Sequence, residues 1–299
     1  MPQLVINGGT IHYQELGSGR TTVVLTPGGM WGGYVHRVVA TELARDFRVI
    51  TWDRRNTDGR SDLLIEGEAS EADLWADDLA ALIRSLELAP CYLGEYAGCR
   101  TSPLLCFRYP GLAKGLMLAF PSGGEVPVDR LPRTMYRAYI RAALRGGMEA
   151  VVATKFPVGR DAQSGMPLSQ DPDRQNPRNR ERLLAMKPLD FVRQMAYWEA
   201  YFTTSADLAI AGCRLTDEQW SSIGVPAIVT GGADPIHPTD AGQRLHELLP
   251  NSRYHPPVVT PQEWDGIFGK VPYPKVADFQ GERIAPVWRK FIKELEGSA

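Results

Sequence analysis

An α/β fold with a mainly parallel sheet is predicted by three features of the sequence. Short apolar runs of strand length alternate with helical segments. The runs are apolar almost throughout rather than at every second position, as strands covered on both faces must be. The clearest helical segment carries a single apolar stripe.

Residues 3 to 6 and 11 to 16 flank Gly8-Gly9 and predict an opening hairpin. Buried strands follow at VVLT (23 to 26), VITW (49 to 52), CYLG (91 to 94), GLMLAF (115 to 120) and PAIVTG (226 to 231). Between the second and third of these lies a helix over 71 to 88, opened by Ser70 with Asp73 three positions on, a variant of the capping box. Its stripe is Leu74, Trp75, Leu79, Leu82, Ile83 and Leu86. The strand pattern stops between about 121 and 222, where Met135, Tyr136, Met195, Trp198 and Phe202 recur at mostly helical spacing. That segment predicts a helical insertion with a polar, proline-studded loop at 170 to 180. The sheet resumes at Val225, and a helix near 278 to 295 closes the chain. The predicted organisation is a core of 1–120 and 223–299 with a helical cap of 121–222.

Composition excludes several function classes. Of 299 residues, 43% are hydrophobic and 23% charged, which is neither a disordered nor a collagen-like chain. Lys and Arg number 33 against 35 Asp and Glu, and this balance gives no general attraction to nucleic acid or anionic lipid. No stretch reaches the roughly 18 apolar residues of a membrane span, and the N-terminus lacks a signal pattern, so a cytoplasmic location is expected. The four cysteines, Cys91, Cys99, Cys106 and Cys213, have no paired spacing and are expected as buried thiols. No phosphate loop, dinucleotide motif or metal-ligand cluster is present, so no cofactor and no metal are expected. The expected partner is a small-molecule substrate, with a second copy of the chain left open.

The most informative segment is CYLGEYAGCRTSPLLCFRYP. A strand that ends in GxxxG and turns into a helix has the layout of a nucleophile elbow, here Gly94, Glu95, Tyr96, Ala97 and Gly98. With TPGGMWGGYVH after the strand at 23 to 26, WDRRNTDGRSD after the strand at 49 to 52, and VPAIVTGGADPIHP near the end, the chain resembles the α/β-hydrolase fold superfamily, in its proline iminopeptidase-like branch. The resemblance covers nearly the whole chain. It implies an α/β-hydrolase fold, with a cap in the long insertion and a pocket beneath it.

Two of the three catalytic positions implied by the resemblance depart from the family. The elbow centre is Tyr96 instead of Ser, Cys or Asp, and a phenol with a pKa of about 10 is a poor acyl acceptor. The acid position is kept as Asp234. The loop where the family's histidine is expected holds Glu263, Trp264 and Asp265 and no histidine. His237, three residues after Asp234, is a candidate base, oriented by Asp234 or Glu263; its alternative is a cap for the helix starting near Thr239. His36 is a weaker candidate. The resemblance implies oxyanion donors from the backbone of Ala97 and of Gly29 or Met30. Trp31, Glu95, Trp198 and Trp264 are candidate substrate contacts; for Glu95 the alternative is a pairing with Arg100. Cys99 replaces the nucleophile only if the helix start is distorted. Asp53, Arg54 and Arg55 either bind an anionic group or brace a turn, and bracing is expected.

The expected function is therefore an enzyme of this fold acting on a small apolar or aromatic carbonyl or ester substrate without a serine nucleophile. It would use noncovalent acid/base chemistry and oxyanion stabilisation, of lyase, dehydratase, cyclase or carbon–carbon hydrolase type, with Tyr96 as donor or general acid and His237 or Glu263 as base. The alternatives are a hydrolase with an unusual nucleophile and a noncatalytic ligand-binding protein.

Overall fold

The computed structural model describes residues 2–154, 176–204, 209–267, 270–271 and 273–297. Its strands are β1 (Gln3–Ile6), β2 (Gly9–Leu16), β3 (Thr22–Thr26), β4 (Arg48–Trp52), β5 (Cys91–Gly98), β6 (Ala113–Pro121), β7 (Ala227–Thr230) and β8 (Ser252–His255). They form one sheet in the order β1-β2-β4-β3-β5-β6-β7-β8. The pairs β1·β2 and β2·β4 are antiparallel and the remainder parallel. The opening hairpin turns on Asn7 and Gly8, both at positive φ (46° and 73°), one residue earlier than the Gly8-Gly9 dipeptide predicts. Gly9 is already paired with Ile6.

The helices are α1 (Arg37–Leu43), α2 (Glu71–Ser85), α3 (Thr101–Arg108), α4 (Glu125–Pro132), α5 (Ala138–Ala153), α6 (Pro177–Ala185), α7 (Pro188–Thr203), α8 (Asp217–Ser221), α9 (Thr239–Leu248), α10 (Pro261–Ile267) and α11 (Tyr273–Gly297). Helices α1 and α11 cover one face of the sheet, where Val39, Leu43, Trp288 and Phe291 pack on Val23, Leu25 and Tyr92. On the other face, α2, α3, α8 and α9 bring Leu79, Leu105, Trp220 and Leu245 against Val24, Leu93 and Leu116. Coverage on both sides is why the central strands read as continuous apolar runs.

Local chemistry sets the ends of α2. The Ser70 hydroxyl accepts from the Asp73 amide at 3.1 Å, as the capping pattern predicts. The helix stops at Ser85, short of the expected Leu88, because Glu87 takes a left-handed φ of 53°. The Glu87 and Leu88 amides then return to the carbonyls of Arg84 and Ile83 at 3.1 and 2.9 Å, closing a Schellman motif.

Among the described residues between 121 and 222, helices predominate. Leu131 of α4, Met135 from the turn between α4 and α5, and Phe191 and Trp198 of α7 pack onto Met30, Trp31 and Leu63 of the core. The loop expected at 170 to 180 is corrected in its second half, since α6 starts at Pro177 behind an Asn176 cap; residues 170–175 lie outside the described residues. Asn179 of α6 docks the insertion by accepting from the Leu63 amide at 2.9 Å and donating to the Ser61 carbonyl at 3.0 Å. Among the described residues no helix is long and apolar enough to cross a membrane.

Candidate functional site

The turn after β5 decides what chemistry the site can do. Strand β5 stays paired with β6 through Tyr96↔Ala119, so Tyr96 keeps the strand's alternation and faces the same side as Tyr92. Tyr96 is fully buried, edge-on to His36 at a ring separation of 4.4 Å, with Phe120 and Trp288 as further neighbours. Its hydroxyl donates to the Val35 carbonyl at 2.7 Å. The expectation that Tyr96 forms the elbow centre and acts as donor or acid is corrected: its phenol is a core group.

The left-handed residues come afterwards. Ala97, Gly98 and Cys99 have φ of 63°, 134° and 58°. For Ala and Cys such a conformation costs of order 1–3 kcal/mol each and persists only where the surroundings enforce it. The surroundings here are the loop after β3. The Gly29 amide donates to the Ala97 carbonyl at 3.0 Å. A Cβ on Gly28 would lie 1.8 Å from that oxygen and 2.1 Å from the Tyr96 carbonyl, so only glycine permits the approach. The strained apex is thus Ala97, which carries a methyl group. Gly29 spends its amide on that contact, which corrects its expected place in an oxyanion pair with Ala97. The next amides along the two segments are those of Gly98 and Met30.

Glu95 is likewise corrected as a substrate contact. Its carboxylate accepts from the amides of Arg100, Thr101 and Ser102 at 2.9, 3.1 and 2.6 Å, satisfying the first turn of α3. Cys99 is fully buried, and burial raises its thiol well above the ordinary range, the opposite of an activated nucleophile.

In the loop after β7, Asp234 and His237 form a compact pair. The Asp234 carboxylate accepts from the Ile236 and His237 amides at 2.8 and 3.1 Å, and its second oxygen lies 2.9 Å from His237 Nδ1. Burial opposes ionisation of Asp234, but the His237 ring and these amides outweigh it and hold the carboxyl below its ordinary value. An ionised carboxylate only accepts, so Nδ1 carries the proton that points to Asp234. His237 is 7% exposed and edge-on to Phe120 at 6.4 Å.

Glu263, the other expected base, lies in the first turn of α10. It accepts from the Thr260 amide at 3.0 Å, its own amide bonds the Thr260 hydroxyl at 3.2 Å, and Arg283 donates to it at 2.8 Å. The Thr260 amide, with Arg283, keeps its carboxyl below the ordinary value. This is a reciprocal helix cap, so Glu263 is corrected as a base. Trp264, on the same helix, is buried in the apolar cluster that holds Trp31 and Trp198.

Of the Asp53-Arg54-Arg55 run, two residues brace the fold. Asp53 accepts from the Gly33 and Arg60 amides at 2.7 and 2.9 Å. Arg55 pairs with Asp78 at 2.7 Å in a fully buried ion pair. Arg54 does something else: its guanidinium stacks 4.0 Å over Trp75 and approaches a cluster of Glu71, Glu95, Arg100 and Tyr136. Glu71 is buried at the start of α2 and accepts from the Tyr136 hydroxyl at 3.0 Å. Burial raises its carboxyl from 4.5 to about 7, against the pull of Tyr136, Arg54 and Arg100. A void of about 10 Å³, room for one water, lies between Glu71, Arg100, Tyr136, Trp198 and Phe202 beneath the insertion. The sequence reading missed this cluster. Glu71 sits where a helix favours an exposed acid, and nothing in the sequence marks that position as buried.

No family model matches the chain. Over 108 residues it is 33% identical to the uncharacterized hydrolase YraK of Bacillus subtilis (strain 168), a match that spans 36% of this chain and 39% of that protein. Among solved structures it resembles an esterase from Thermogutta terrifontis at 19% identity over 98% of this chain and 99% of that one, with a TM-score of 0.57. It resembles the meta-cleavage product hydrolase CumD from Pseudomonas fluorescens IP01 at 16% identity, over 99% and 98% of the two chains, with a TM-score of 0.62. The sheet order, the elbow after β5, the Asp234 loop after β7 and these likenesses agree: the chain has the α/β-hydrolase fold.

Proposed function

We propose that the protein is an enzyme that acts on a small aromatic or apolar carbonyl or ester compound without a covalent intermediate. The observation that carries this reading is the exchange at the elbow. The strained apex holds Ala97 while an oriented Asp234–His237 pair is kept in the loop after β7. A methyl group cannot attack a carbonyl, so the nucleophile is supplied from outside the chain as water, or the reaction is a proton transfer. His237 Nε2 removes the proton, Asp234 stabilises the resulting imidazolium, and the amides of Gly98 and Met30 face the developing oxyanion. Apolar substrates are favoured because Met30, Trp31, Met135, Trp198 and Phe202 fill the junction of core and insertion.

The reading of a hydrolase with an unusual nucleophile is disfavoured by the burial and raised pKa of Cys99 and by the inward turn of Tyr96. A noncatalytic ligand-binding role would leave the Asp234–His237 pair without a task.

The test is turnover of a panel of activated aromatic esters and enolisable ketones, alongside intact-mass analysis after fluorophosphonate treatment. Turnover with no adduct, lost in His237→Gln, is the expected result. A stoichiometric adduct that abolishes turnover would sink the noncovalent reading, and a folded protein inactive on every substrate class would sink the enzymatic one.

A further inference from the structure

We propose that Arg54 is a positioning residue: it fixes the direction of the Gly29–Met30 peptide, and with it the Met30 N–H assigned above to the developing oxyanion. The inference rests on that catalytic reading and adds the side chain that sets one of its two donors.

The loop after β3 turns over Gly28 to Trp31, where the Trp31 amide donates to the Gly28 carbonyl at 3.3 Å. Gly29 has a φ of 52° and Met30 is not among the residues at positive φ, which is the pattern of a type II′ turn. Backbone groups hold the two outer peptides of this turn. The Gly29 amide donates to the Ala97 carbonyl at 3.0 Å, and the Met30 carbonyl accepts from the Asp58 amide at 2.7 Å. The central peptide is held by a side chain, since Arg54 Nη2 donates to the Gly29 carbonyl at 2.6 Å.

In a planar trans peptide the N–H and the C=O point in opposite directions. The guanidinium on the Gly29 carbonyl therefore turns the Met30 N–H away from Arg54. Arg54 comes from the loop after β4, which flanks β3 on one side; β5 and β7, which lead into the elbow and the Asp234–His237 loop, lie on the other. Rotating the central peptide by half a turn would give the type I′ arrangement, with a carbonyl oxygen where the N–H now points. It would also force Met30 to a positive φ. An oxyanion would then face an acceptor. The bond from Arg54 opposes this rotation, and so does the β-carbon of Met30.

The anchor is itself fixed. Arg54 is 1% exposed, its guanidinium stacks 4.0 Å over Trp75, and Trp75 Nε1 donates to the Arg55 carbonyl at 2.8 Å. The Thr57 hydroxyl donates to the carbonyl of Arg54 at 2.7 Å. Among the described residues its Nε and Nη1 have no partner, so the buried cation makes one hydrogen bond, to this one peptide. A charged donor polarises the peptide that it binds and strengthens the N–H at the far side, which a neutral donor would do less well.

The experiment is amide NMR of the full chain labelled with ¹⁵N-methionine, with Met30 assigned by loss of its signal in Met30→Leu, alongside kcat and KM on any ester or ketone the parent turns over. Arg54→Met keeps the length of the side chain and loses the donor. It is expected to displace the Met30 amide signal while those of Met117 and Met148 stay, and to lower kcat by about tenfold or more with KM within about twofold. Arg54→Lys restores a cationic donor and is expected to return both part of the way. A Met30 signal unmoved in folded Arg54→Met, a displacement in Arg54→Lys as large as in Arg54→Met, or a displaced signal with unchanged kcat would overturn the proposal. If Arg54→Met does not fold, Arg54→Gln takes its place, and loss of fold in both would make Arg54 a structural residue and overturn the positioning role. The NMR signal is read without turnover. A parent inactive on every substrate class therefore sinks the catalytic reading, whereas an unmoved Met30 signal in an active protein sinks the positioning role alone.

Discussion

The Tyr96 hydroxyl donates to the Val35 carbonyl at 2.7 Å, joining the end of β5 to the segment that leads into α1. The phenol therefore works for the fold and stands outside the pocket. Replacement by phenylalanine removes this hydrogen bond to the Val35 carbonyl and is expected to lower stability by about 1–2 kcal/mol. Turnover per folded molecule should stay unchanged. Urea denaturation with an activity assay checks both, and a loss of turnover in stable Tyr96→Phe would return the phenol to the mechanism.

Ala97 occupies the strained apex at a φ of 63°. Ala97→Ser places a hydroxyl there with a small change in volume. The variant is expected to react with fluorophosphonate at least tenfold faster than the parent. Tyr96→Ser, with its hydroxyl directed into the core, should not react. Peptide mapping of the adduct separates the two, and labelling of Tyr96→Ser alone would place the apex back at position 96.

For the Asp234–His237 pair, separated by 2.9 Å, both His237→Gln and Asp234→Asn remove an oriented base. Turnover is expected to fall by about 10²–10⁴ in each. Melting temperatures should distinguish lost chemistry from lost fold, and activity near the parent level in folded His237→Gln would exclude the residue as base.

Two buried groups should make stability depend on pH in opposite senses. Glu71 is raised from 4.5 to about 7 in the folded protein, so the folded state holds that proton more tightly than the unfolded chain. Its contribution is present below 4.5 and disappears as pH rises through about 7, amounting to roughly 3 kcal/mol at full extent. His36 is fully buried, both its ring nitrogens lack partners, and burial lowers it from 6.5 to about 3. Here the unfolded chain takes the proton first, so stability is retained above 6.5 and lost toward pH 3, by roughly 5 kcal/mol at full extent. Chemical denaturation across pH 3 to 8 should show Glu71→Gln removing the fall in stability between pH 4.5 and 7, and His36→Phe removing the opposing rise between pH 3 and 6.5. Parallel curves for parent and variants would refute the assignment.

The Gly28 contact with the elbow is backbone on backbone. Gly28→Ala would push a methyl carbon to within 1.8 Å of the Ala97 carbonyl, and neither side can yield by a rotamer change. A loss of about 3 kcal/mol or more is expected, read as a lower denaturation midpoint. A midpoint within error of the parent would mean that the loop and the elbow are not in contact.

The sequence by itself determined the order of strands and helices, because continuous apolar runs and the stripe of α2 follow from coverage on two faces and on one. Glycine spacing also marked the strand-to-turn segment after β5, and Asp234 and His237 stand three positions apart, because such spacings are local properties. Two local signals were there to be read more closely: the Thr260 to Glu263 spacing is that of a reciprocal cap, and Asn7-Gly8 is a tight-turn dipeptide. Tertiary structure alone decided which elbow residue holds the strained apex. Pairing of β5 with β6 carries Tyr96 inward and delays the left-handed turn to Ala97, and the contact with Gly28 fixes it there. It alone also buried Arg54, Arg100, Glu71 and Tyr136 together, from four segments far apart in the chain. A charge's environment is set by what packs over it, and Tyr136 of the insertion lies 65 positions from Glu71 in the chain, beyond the reach of any local pattern.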